Sequence, residues 1–103
     1  MVINAKICQS QKSDKKYDVY FDDDNKTVSF GGRGYSDYTM HKDDSRKALY
    51  LKRHAKNENW EDFRTPGFLS RYFLWNKKTL SGSIADVNKM YKGIVNFKYK
   101  KKC

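Results

Sequence analysis

The side chains best suited to covalent or metal chemistry are few: Cys8, His41, His54 and Cys103. A cysteine beside a histidine can become a nucleophilic thiolate, and an acid such as Asp37 can orient the imidazole. The same four residues are of the types that hold zinc. Their spacing argues against both chemistries. Gaps of 32, 12 and 48 residues separate them in chain order, so no compact ligand pair forms, and neither cysteine has a recognisable nucleophile context. The reading is no catalytic residue, no metal site and no cofactor. His41 is expected to bond a backbone or carboxylate group near a helix start. Asp22-Asp23-Asp24 looks superficially like a cation loop but lacks the further ligands of one, so it reads as a hairpin tip. Gly31-Gly32-Arg33-Gly34 lies where a phosphate loop could lie, yet no Lys-Ser/Thr pair follows.

Charge is the stronger signal. Residues 1–41 hold six cations and six aspartates, whereas residues 42–103 hold sixteen cations against six acids, the whole net charge of +10. Such asymmetry favours an anionic partner. Arg46, Lys47, Arg53, Lys56, Arg71, Lys77 and Lys78 are the candidate anion- or partner-binding surface. Tyr35, Tyr38 and Tyr72 are the candidate interface aromatics, able to stack on bases or anchor a protein contact. A helix-turn-helix could be drawn around Trp75–Lys78. Its second helix, with Ser81, Gly82, Ser83, Asp86 and Asn88, is poor in cations, so non-specific phosphate contact is expected rather than base reading.

These residues must be positioned by a small α+β domain. At 103 residues the chain is read as one domain, 1–103, with one modest core. Its apolar fraction is low, but rings make up 16% of it, enough to anchor a thin core. Residues 1–33 read as mainly β: a first strand from Val2 to Cys8, then a hairpin of Tyr17–Phe21 and Thr27–Phe30. Gly34–Thr39 is expected to be a surface loop. Residues 42–92 read as mainly helical. Helix starts are signalled by Asp43 or Asp44, by Thr65-Pro66 and by Thr79. The first helix should run to about Lys56, with Ala48, Leu49 and Leu51 as a narrow apolar stripe. Trp60 should turn into the core. Residues 94–103 read as a last short strand and a basic tail. The expectation is a small antiparallel sheet packed with about three α-helices.

Two cysteines at opposite ends are no disulfide framework and fit a reducing compartment. No cationic leader opens the chain, and no apolar run approaches the roughly 20 residues of a membrane span, so cytosolic synthesis and no membrane span are expected.

Three stretches carry a resemblance: GYSDYT-HKD from Gly34, the RH-K-E-W step from Arg53 to Trp60, and LSR--LWNK-TL--SI-D from Leu69 to Asp86. In them the chain resembles a family of small, basic, largely uncharacterised proteins of nucleocytoplasmic large DNA viruses of the chlorella-virus, mimivirus and iridovirus type. The resemblance covers about half the chain and implies a virion protein made in the host cytoplasm. One role it implies is a minor capsid or other structural component that contacts other virion proteins. The alternative is a non-specific DNA-binding protein that helps package the genome. The matching stretch ends near Asp86, and Ile94–Cys103 reads as a variable end.

Overall fold

A computed structural model describes residues 2–102. Four strands and four helices alternate in blocks: β1 (Ile3–Gln9), β2 (Lys15–Phe21), β3 (Lys26–Gly32), α1 (Tyr38–His41), α2 (Asp44–His54), α3 (Pro66–Phe73), α4 (Leu80–Met90) and β4 (Val95–Tyr99). The class is α+β. Alternation makes the strands: Ala5 and Ile7 are buried while Asn4 and Lys6 are exposed, and Val19 and Phe21 repeat the pattern on β2. The β2–β3 hairpin turns through Asp22–Asn25, with Asn25 in the left-handed region that asparagine tolerates. Its aspartates tie the turn down. Asp22 accepts from the Asn4 N–H, and Arg64 bonds Asp23 at 2.6 Å and Asp24 at 2.9 Å.

The sheet order is β3-β2-β1-β4. Contrary to the expected antiparallel sheet, it is mixed: β4 lies parallel to β1, with Ala5 opposite Phe97. A parallel neighbour requires a long crossover, and here the segment between β3 and β4 carries all four helices. α3 packs on β3 and α4 on β4, so the two helices cover one face of the sheet. Between the helices and the sheet lie Phe21, Phe30 and Phe97 from the strands and Phe68 and Phe73 from α3, all fully buried. The ring of Phe97 meets Phe73 and Phe21 edge-on, the orientation that ring quadrupoles favour.

The three helix starts read from the sequence are capped as the residue types suggest. Asp43 accepts from the Ser45 and Arg46 N–H groups, Thr65 from Phe68, and Thr79 from Gly82. The fourth helix, α1, was not expected. Asp37 nucleates it by accepting from the Thr39 N–H and hydroxyl, turning the second half of the supposed surface loop inward. Leu49 also departs from expectation: it is 54% exposed, so α2 does not dock by an apolar stripe. Cys8 is buried and disulfide-bonded, contrary to the expectation of no disulfide; Cys103 lies outside the described residues. Among the described residues no helix is long and apolar enough to cross a membrane.

Candidate functional site

α2 buries no residue completely. Its attachment is a ladder of flat rings. Tyr50 stacks on Trp75 with centroids 4.2 Å apart and planes 2° from parallel. His54, one turn further on, stacks on Tyr50 at 4.2 Å. His41 packs against Trp75 from α1, at 5.3 Å. Tyr50 and His54 are four residues apart and therefore share one side of the helix with Lys47. Lys47 completes the joint: its ammonium donates to the Asn76 carbonyl at 2.7 Å and lies over the Tyr38 ring. Burial, with Arg71 and Lys77 nearby, pulls the Lys47 pKa below that of an ordinary lysine. His41 behaves as expected of it, its Nδ1 accepting from the Asp43 N–H at 2.9 Å.

The solvent-exposed surface of α2 is cationic. Arg46, Lys52 and Arg53 are exposed on the helix, and Lys56 is exposed just beyond it. Of the candidate cations, Arg46, Arg53, Lys56, Lys77 and Lys78 stand in solvent. Two do not. Lys47 faces inward, as described, and Arg71 lies between the Trp60 and Tyr72 rings, 5.2 and 4.4 Å from their centres. That stacking holds the guanidinium by cation–π attraction, while its Nε and Nη1 are buried without a hydrogen-bond partner among the described residues. The aromatics divide as well. Tyr35 is 76% exposed and free to act as a contact. Tyr72 is half-buried against Phe68. Tyr38, expected at an interface, is 5% exposed; its hydroxyl donates to Asp44 at 2.5 Å, and it serves the joint between α1 and α2. Trp60, expected in the core, is only half-buried.

Because rings rather than interdigitating aliphatics hold α2, the helix stands off the body. A cleft of about 540 Å³ opens beside it. One wall is the ladder: Tyr50, His54 and Trp75. The facing wall is the end of the β2–β3 hairpin, with Lys15, Lys16 and Gly31, and Phe30 and Leu74 supply apolar surface. At one end the Lys16 ammonium binds Asp37 and the Tyr35 carbonyl, each at 2.5 Å. At the other, Glu58 faces His54, with Nδ1 and Oε1 3.4 Å apart, and Ser70 adds a hydroxyl. Two glycines of the lining let neighbouring side chains pack directly against the backbone. A methyl group at Gly67 would overlap the Glu58 carboxylate, and one at Gly31, which also has φ +78°, would meet Leu74 and Lys16. Burial, reinforced by the Glu58 charge, pushes the Tyr50 phenol up to about 12.

The fold therefore unites Asp37 and His54 in one cleft and leaves His41 at the far end of the ladder. Sequence reasoning missed Lys16, Glu58, Ser70 and Trp75 as partners in this cleft, since five separate chain segments supply its walls. Only the i, i+4 pair His54 and Glu58 carried a local signal. Among the described residues no group of three or more His, Cys, Asp or Glu side chains could hold a metal ion.

Residues 5–54 match a family of unknown function, DUF5754. The chain is similar to that family from β1 to the end of α2, a stretch that includes the cationic helix and the Lys16, Asp37, Tyr50 and His54 side of the cleft. No curated protein and no solved structure matches the chain.

Proposed function

We propose that the chain is a non-specific nucleic-acid-binding module that meets phosphates with the outward side of α2. One observation carries this reading: α2 is a helix with no fully buried residue, fastened by rings along one side, with Arg46, Lys52 and Arg53 exposed to solvent around it and Lys56 just beyond it. A helix whose stability comes from its back leaves its front free for a partner, and cations at that spacing can follow a phosphate backbone. Lys77 and Lys78, exposed beyond the Lys47–Asn76 joint, extend the same field. Arginine and lysine heads in solvent neutralise phosphates and release counterions, so affinity is set by charge count rather than by sequence.

The measurement is affinity for a random-sequence DNA as salt is raised. Three or four phosphate contacts give a slope of log affinity on log salt of about −3. Replacing Arg46, Arg53 and Lys56 together by Glu should abolish binding while leaving the circular dichroism spectrum unchanged. Retained binding by that triple variant would remove α2 from the interface.

A second reading, a structural component of a large DNA virus particle held by protein contacts, is favoured by the resemblance above and by Tyr35, with Met40 beside it. Both side chains are exposed, and the Lys16 ammonium reaches the Tyr35 backbone carbonyl and the Met40 sulfur. On that reading, Tyr35→Ala lowers particle incorporation and the triple charge reversal does not.

A further inference from the structure

We infer that the cleft beside α2 receives one unpaired nucleobase of a single strand whose phosphates lie on the cationic helix. The inference rests on the nucleic-acid reading above and gives it a preference for single strands. Three observations carry it. The first is the open end of the ring ladder. His41, Trp75, Tyr50 and His54 follow one another, and among the described residues no further ring covers His54. One side of its imidazole is taken by Tyr50, yet the side chain is 44% exposed. A flat heterocycle can extend the stack there.

The second is the distribution of charge. Inside the cleft two lysines, Lys15 and Lys16, stand against two carboxylates, Asp37 and Glu58, with Lys16 bonded to Asp37, whereas Arg46, Lys52 and Arg53 are exposed on α2. The cleft interior is thus balanced in charge, which suits a neutral base, while the exposed cations of α2 suit the phosphates. Glu58 and Ser70 can then accept hydrogen bonds from base N–H groups. The third is size. About 540 Å³ lies within the range of sites for small flat ligands, about 300–1,000 Å³.

The experiment compares two strands of equal length and phosphate number, oligo(dC) and an abasic oligomer, by fluorescence anisotropy. Stacking of a base on a protein ring strengthens binding on the order of tenfold. Oligo(dC) should therefore bind about ten times tighter than the abasic strand, with quenching of tryptophan emission. Ser70→Trp, which fills the cleft, and His54→Ala, which removes the terminal ring, should each reduce oligo(dC) to the abasic affinity. The abasic affinity and its salt slope should stay unchanged in both variants. Two variants are needed because either alone could disturb the joint of α2; loss of abasic binding would reveal that. Equal affinity for both strands in the unmodified protein overturns the base site but leaves phosphate contact standing. No binding of either strand at low salt overturns both.

Discussion

The two halves of this molecule are built to different rules. Between α3, α4 and the sheet, five phenylalanines are sealed from water, with Phe97 meeting Phe21 and Phe73 edge-on. Around α2 nothing is fully buried on the helix, and the contacts are stacked, half-exposed rings plus one lysine on a carbonyl. The first arrangement gains from the removal of apolar area from water, which scales with burial. The second gains a smaller amount from ring stacking, about 0.5–1.5 kcal/mol per pair beyond area. A firm core and a lightly fastened helix in one small chain separate stability from contact. The core can hold the fold while α2 keeps a free cationic side.

Truncation at the two places should break the molecule differently. Phe97→Ala, at the meeting point of three core rings, should cost about 3–5 kcal/mol and lower the cooperative unfolding midpoint of every probe together. Trp75→Ala should cost less, about 2 kcal/mol, by removing the ring that stacks on Tyr50 and packs against His41. Its effect should be local: hydrogen exchange in α2 accelerates while the amides of β1 and β2 stay protected. If Trp75→Ala instead lowers protection evenly across the sheet, α2 belongs to the core unit, and the contrast between the halves is lost.

Sequence patterns were informative where structure is local. The caps at Asp43, Thr65 and Thr79 depend on a residue and the three that follow it, and the β2–β3 hairpin depends on a short turn. Neither needs knowledge of distant partners. The direction of β4 does need it, because Val95–Tyr99 pairs with β1 across the whole helical segment; a five-residue strand pattern says nothing of parallel or antiparallel. Charge misled in a specific way. Lys47 and Arg71 read as surface cations because charged groups rarely enter an interior, yet one finds a carbonyl and the other two ring faces. The ring ladder was hidden for a related reason: its four members lie on α1, on α2 and beyond α3, and only Tyr50 and His54 share a helix.

The smallest effect separates the two halves by pH. Tyr50 is the ladder's central phenol, and burial raises its pKa to about 12 from an ordinary value near 10. Docked α2 therefore holds the proton, whereas undocked α2 releases it near pH 10. Below pH 10 both states are neutral and docking is at full strength. As pH rises from 10 toward 12, ionisation favours the undocked state, so the joint weakens and is lost as pH passes the docked value. Tyr50→Phe keeps the stack and removes the ionisation, so its α2 should remain docked through that window. Helix content and tyrosinate absorbance, measured against pH for the two proteins, give the difference. The unmodified protein should lose helix signal along with the last tyrosine to ionise, and the variant should not. Identical curves would mean that Tyr50 ionises without releasing α2, and that Lys47 and the outer rings suffice to fasten the helix.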